Sequence, residues 1–142
     1  MELSDCINFE LTSVQNAVFN YFKGKLAAHD VTPVQYALLK CLWTEDMQTP
    51  TQLAQALRLD TSSVTGILAR LEKKALVERI YSKEDRRSIY VHLLENGAAL
   101  QNPIEQIIAE ANQAMTKGIS PEDYQKFRAQ LHRIESNAKK SE

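Results

Sequence analysis

The amino-acid sequence predicts a mainly α-helical chain with one small β-hairpin: a winged helix-turn-helix lobe held between long amino- and carboxy-terminal dimerisation helices. Three observations predict it. Two short amphipathic segments separated by a tight turn lie in mid-chain, and two alternating segments follow them around a charged cluster. At both ends, apolar residues recur at spacings of three and four over about five turns.

The first element is read from Leu3, Ile7, Leu11, Val14, Val18, Tyr21 or Phe22, and Lys25 or Leu26, which mark one face of a long helix. In "VTPVQYALLKCLW", Thr32 can cap and Pro33 suits the first helical position, with Val34, Ala37, Leu38, Cys41 and Leu42 as the buried stripe. "QTPTQLAQALRLDTSSVTGILARLEKK" repeats that start: Thr49 caps, Pro50 opens, and Gln52 stands third, where a capping box wants Glu or Gln. Leu53, Ala54 and Leu57 face inward on this short helix, and Leu59 lies in the turn. Asp60 or Thr61 then caps a helix whose apolar face is Val64, Ile67, Leu68 and Leu71. Two short helices joined by so brief a turn form a helix-turn-helix.

"ALVERIYS" and "SIYVHLLE" alternate, with Ile89, Val91 and Leu93 on one face and Tyr90 and His92 on the other. Between them lie Lys83, Glu84, Asp85, Arg86 and Arg87, which places the charges at a hairpin tip, the wing. After Gly97 the apolar positions Leu100, Ile104, Ile107, Ile108, Ala111 and Met115 predict another long helix, with Pro103 bending it or lying in its first turns. "GISPEDYQKF" restarts with Ser120 as cap, and Tyr124, Phe127, Leu131, Ile134 and Ala138 continue as a stripe. Residues 1–30 and 98–142 are therefore read as a helical dimerisation region and residues 31–97 as a DNA-binding lobe.

With 142 residues the chain is about one domain's worth, and 44% hydrophobic with 25% charged residues is ordinary for a globular protein, so neither figure selects a function. Charge distribution is more informative. Net charge is −1, yet Arg70, Lys73, Lys74, Arg79, Lys83, Arg86 and Arg87 against Glu72, Glu78, Glu84 and Asp85 give that segment +3 and leave −4 elsewhere. A basic segment on an acidic body suits docking to a polyanion. No apolar run approaches the roughly 18 residues of a bilayer span, and Glu2 and Asp5 do not resemble a secretion signal, so a cytoplasmic protein without a membrane partner is expected.

Long apolar stripes at both ends need a partner, and a homodimer is the economical one. A two-fold dimer calls for a pseudo-palindromic duplex with half-sites roughly 34–36 Å apart. The reading helix would present Thr61, Ser62, Ser63, Thr65, Gly66, Ala69 and Arg70, short side chains that let it lie deep in the major groove. Gly66 is explained either by close approach to DNA or by a helix crossing. Thr49, Thr51 and Gln52, at the start of the preceding helix, are placed for phosphate. At the wing, Lys83, Asp85, Arg86, Arg87 and Ser88 complete the set. The arginines face backbone or minor groove, and Asp85 is expected to hold Arg87 in one rotamer by a carboxylate–guanidinium pair.

These residues resemble a known family. "TPVQYALLKCLW" and "TPTQLAQALRLDTSSVTGILARLEKKALVERIYSKEDRRSIYVHLLENG", with the long flanking helices, are similar to the multiple-antibiotic-resistance regulator (MarR) family of dimeric winged-helix transcription factors, over nearly the whole chain. The resemblance implies a homodimer on operator DNA, usually a repressor, released by a small phenolic or other ligand or by an oxidant. By it, Ser62, Ser63, Thr65, Gly66 and Arg70 match the recognition helix, and Asp85 and Arg87 match a salt-bridged pair whose arginine enters the minor groove. One departure is Ala75, where the family commonly has Gly. A left-handed helix end there must be strained or replaced.

Cys6 raises the peroxide-sensing branch, whose cysteine would fall near Asn8. The offset of two positions favours an inert or merely accessible thiol, with an oxidant-sensing regulator as the alternative function. Cys41 is expected in the core. Phe9, Tyr36 and Trp43 are candidates to line an effector cleft between the dimer helices and the winged lobe, with core packing as the competing role for each. His29, His92 and His132 lie on different elements, so neither a metal site nor any other cofactor is expected. Without a Gly-rich phosphate loop or a nucleophile–base arrangement, no enzymatic activity is expected.

Overall fold

The computed structural model describes residues 1–85 and 87–140. Among the described residues, seven α-helices and one hairpin follow in the order α1 (Ile7–Leu26), α2 (Pro33–Thr44), α3 (Pro50–Leu57), α4 (Thr61–Lys73), β1 (Val77–Tyr81), β2 (Ile89–Leu93), α5 (Glu95–Ala99), α6 (Gln101–Met115) and α7 (Pro121–Lys140). No described helix is long and apolar enough to cross a membrane.

Helix starts are set by local hydrogen bonds, as the sequence predicts. Thr32 Oγ1 accepts from the Gln35 N–H at 3.2 Å while Gln35 Oε1 accepts from the Thr32 N–H at 3.2 Å, a reciprocal box. Thr49 and Gln52 repeat it at 3.1 and 2.9 Å, and Ser120 Oγ accepts from the Asp123 N–H at 3.1 Å. Each box satisfies two amides that an unfinished helix turn leaves orphaned.

Three readings shift. The first helix does not begin at Leu3: a 3₁₀ turn over Leu3–Asp5 is closed by its own box, the Glu2 N–H donating to Asp5, and Cys6 is extended as the cap of α1. Val34 is exposed and Leu39 fully buried, because α2 is wrapped on several sides and buries Leu38, Leu39 and Leu42 over a wider arc than one stripe. The long helix after Gly97 is two helices. Pro103 has no N–H for the Ala99 carbonyl and its ring would collide with it, so the chain turns at Leu100, and Pro103 sits in the first turn of α6. Ala75 does take the left-handed conformation, at φ +60°.

β1 and β2 pair antiparallel from Val77↔Leu93 to Tyr81↔Ile89, and the Val91 N–H donates to the Gln48 carbonyl at 2.8 Å, adding a one-residue third strand. The core lies between α2, α4, the hairpin and α6, with Leu38, Leu42, Leu53, Leu68, Leu71, Val91 and Ile104 at most 1% exposed. The terminal helices are different. Leu3, Ile7, Val14 and Phe127 are each more than half exposed in the single chain.

Ala75 closes α4 through a Schellman pattern: its N–H donates to the Glu72 carbonyl at 2.9 Å and the Leu76 N–H to the Leu71 carbonyl at 3.0 Å. Alanine bears left-handed strain of roughly 1–2 kcal/mol there. Ala75→Gly removes it at an unfolded-state entropy cost of roughly 0.4–1 kcal/mol. The expected net gain is about 0.5–1 kcal/mol, seen as a higher urea midpoint with unchanged slope at fixed protein concentration.

Candidate nucleic-acid interface

The turn between α3 and α4 is built by Arg58, left-handed at φ +57°, with the Leu59 N–H donating to the Ala54 carbonyl at 2.9 Å. Asp60, not Thr61, caps α4. Its Oδ1 accepts from the Ser63 N–H at 2.6 Å and from the Ser62 hydroxyl at 2.7 Å. These bonds, the Ser62 hydroxyl foremost, hold the Asp60 carboxyl down at about 2, so it is ionised at neutral pH.

Burying Val64, Ile67, Leu68 and Leu71 turns Thr61, Ser62, Ser63, Thr65, Gly66, Ala69 and Arg70 outward, all exposed. The Thr65 hydroxyl donates back to the Thr61 carbonyl at 3.0 Å. A Cβ on Gly66 would meet nothing within 4 Å, which excludes a helix crossing within the described chain as the reason for glycine.

At the start of α3, the caps occupy the Thr49 hydroxyl lone pair and the Gln52 carbonyl oxygen. The Gln52 amide nitrogen and the exposed Thr51 hydroxyl remain donors for an outside acceptor. The structure brings this helix end against the wing: Thr49, Pro50 and Thr51 line a cleft of about 320 Å³ with Arg87, Ser88 and Ile89. Lys83 is exposed on the wing loop. Arg86 lies outside the described residues.

Asp85 corrects the expectation. Among the described residues no ion pair joins it to the Arg87 guanidinium. Its Oδ1 instead accepts from the Arg87 backbone N–H at 3.0 Å, its Oδ2 from the Ser88 hydroxyl at 3.2 Å, and its own carbonyl from the Ser88 N–H at 3.0 Å. A short carboxylate two residues ahead of an amide closes an Asx turn more readily than it reaches the far end of an arginine. Asp85 thus fixes the bend of the wing.

The base of the wing is braced by a residue that reading the sequence missed. Asp46 accepts from the Leu93 N–H at 2.8 Å through Oδ1 and lies 2.8 Å from His92 Nδ1 through Oδ2. Only folding brings together residues 46 apart, and no motif marks them. Of the three effector candidates, Tyr36 and Trp43 meet at a tilt of 55°, 6.2 Å between ring centres, and burial pushes the Tyr36 phenol up. The Trp43 indole N–H donates to the Gly97 carbonyl at 3.0 Å. Phe9 is exposed on α1, and no ring contact joins it to them among the described residues. Cys6 is exposed and Cys41 packs against the core, burial raising its thiol. His29, His92 and His132 stay apart, and no metal-binding group of side chains gathers among the described residues.

Compared with known proteins, residues 31–89 match the model of the MarR family. The organic hydroperoxide resistance transcriptional regulator of Bacillus subtilis is 32% identical over 101 residues, 71% of this chain and 69% of the relative. The homoprotocatechuate degradative operon repressor of Escherichia coli is 27% identical over 125 residues, 88% of this chain and 84% of the relative. Among solved structures, the transcriptional repressor CouR of Rhodococcus jostii, bound to a 23-mer DNA duplex, superposes with a TM-score of 0.85 at 25% identity over 94% of each chain. The helix-turn-helix, the hairpin wing and these likenesses agree: the chain belongs to the MarR family of winged helix-turn-helix transcription regulators.

Proposed function

We propose that the protein is a cytoplasmic homodimeric repressor that binds a pseudo-palindromic duplex operator and lets go when a small molecule enters beside Tyr36 and Trp43. The observation that carries this reading is the shared cleft of Thr49, Thr51, Arg87 and Ser88. The positive end of the α3 dipole, a hydroxyl and a guanidinium converge there, the chemistry a backbone phosphate requires. In the same dimer, α4 enters the major groove and reads base edges through Thr61, Ser62, Ser63, Thr65 and Arg70, and Lys83 and Arg86 add positive charge on the wing. Residues 1–30 and 98–142 supply the dimer contacts through the uncovered faces of α1 and α7. Repression is supported by the E. coli and CouR relatives, both repressors. An oxidant switch at Cys6 has only the exposure of the thiol and the B. subtilis relative in its favour, and packed Cys41 offers no accessible resolving partner.

The test is selection of preferred duplexes from a random pool, followed by gel-shift titration over a range of salt. Binding should weaken steeply with salt, because each phosphate contact releases counterions. Arg87→Ala is expected to lose about 1–3 kcal/mol of operator affinity with an unchanged melting midpoint. A flat salt response, or no duplex retained at low ionic strength, would point to a winged helix used for protein contact.

A further inference from the structure

Arg58 holds a left-handed backbone, φ +57° and ψ 42°, in the turn that leads from α3 into α4. Glycine takes that conformation freely and arginine only at a cost. The turn is closed by main-chain bonds, the Arg58 N–H donating to the Gln55 carbonyl at 3.3 Å and the Leu59 N–H to the Ala54 carbonyl at 2.9 Å, so it makes no use of the guanidinium. That group reaches elsewhere. Its Nη1 donates to Glu135 Oε2 at 2.7 Å, joining residues 77 apart, and Lys139 Nζ stands 3.8 Å from the same oxygen, one turn further along α7. α7 buries no residue, and Leu131 and Ile134 beside Glu135 are only half-buried. The helix therefore has no core anchor on the winged lobe, and the ion pair supplies a directional one.

We propose that Arg58 and Glu135 form a positioning link between α7 and the turn that aims the reading helix, and that this link sets which half-site separation the dimer accepts. The inference rests on the DNA-reading function proposed above and narrows it from a pseudo-palindrome to one of fixed spacing. α4 begins three residues after Arg58, so a shift of the turn against α7 carries the start of the reading helix with it. Operator geometry is sensitive to such a shift: one base pair more or less between half-sites moves the target by about 3.4 Å along the duplex and about 35° around it. An exposed ion pair is weak, biasing an equilibrium about three- to fivefold. Each lobe of a two-fold dimer carries one, however, and both act on the same separation, so their product reaches about tenfold. The rival use of Arg58, a direct phosphate contact, does not involve Glu135, which makes the carboxylate the cleaner residue to change.

The test selects the half-site preferred by the wild type from a random duplex pool, then measures binding to a series of duplexes carrying two such half-sites at separations stepped by one base pair, all at one salt concentration. Affinity ratios between neighbouring separations are compared, so a general loss of affinity does not enter. Wild type is expected to prefer its best separation about tenfold over the next. Glu135→Ala, which favours the helix, and Arg58→Gly, which suits the left-handed turn, should both fall below about threefold. Affinity for a duplex with a single half-site should be unchanged in Glu135→Ala. Exchanging the charges, Arg58→Glu together with Glu135→Arg, should restore the wild-type ratio. A wild-type ratio in Glu135→Ala would overturn the proposal and leave the pair an incidental surface contact. A charge exchange as permissive as Glu135→Ala would overturn it too, showing that Arg58 acts on phosphate instead. A wild type that enriches no duplex at all would overturn the DNA-reading function itself, a separate result visible before any variant is compared.

Discussion

Gly97→Ala is expected to destabilise the folded protein by at least about 3 kcal/mol, lowering the melting midpoint by roughly 10 °C. Gly97 is buried where α5 packs against the base of the hairpin, and a Cβ there would overlap the Leu76 carbonyl oxygen and lie 2.8 Å from Leu93 Cδ1. The leucine methyl can rotate; the carbonyl cannot, because it accepts from the Leu94 N–H at 3.0 Å. Relief therefore requires moving α5, which breaks the hydrogen bond from the Trp43 indole to the Gly97 carbonyl. Trp43 is the only tryptophan, so its fluorescence emission should shift to the red in the folded variant. A native midpoint with native emission would show that α5 slides without cost and that the close packing here is dispensable.

The joint substitution Ile7→Asp with Val14→Asp is expected to leave helix content unchanged, convert the protein to a monomer, and cut operator affinity at least about 100-fold. Both side chains are 55% exposed in the single chain, so two carboxylates there cost the monomer little. In a dimer that covers α1, the same carboxylates would be buried without partners, a penalty of several kcal/mol. Losing the dimer turns one bivalent encounter with DNA into two independent weak ones. Sedimentation analysis and gel shift read the two consequences separately. A variant that stays dimeric would move the interface away from α1, and a monomer with undiminished affinity would show that a single half-site suffices.

Elements whose logic is contained within one turn of chain were legible in advance. Thr32 with Gln35, Thr49 with Gln52, and Ser120 with Asp123 each meet three residues apart, so the pattern of residue types already specifies the bond. The inward face of α4 and the alternation of β2 follow from fixed helical and strand periods. The same reasoning failed where a side chain had a choice of local partners. Asp85 could reach a guanidinium or a backbone amide, and the amide lies closer and is held in place by the turn. It also failed where a helix is buried on more than one side, as with Leu39 and Val34 on α2, because a single apolar stripe is the wrong template for a helix at the centre. At the reading helix the outward residue types were legible, but the choice of Asp60 over Thr61 as the cap was not.

By itself, then, the sequence determined the starts of α2, α3 and α7, the hairpin with its charged tip, and the order of elements that makes a winged helix-turn-helix, because these depend on contacts between residues a few positions apart. Only the tertiary structure decided that Asp46 braces the wing at His92 and Leu93, that Trp43 holds Gly97 from 54 residues away, and that the start of α3 and Arg87 share one cleft. Such partners are chosen by the packing of whole elements. Many residues could satisfy each hydrogen bond equally well in an unfolded chain, and the one that does so is the one that burial of the core carries into reach.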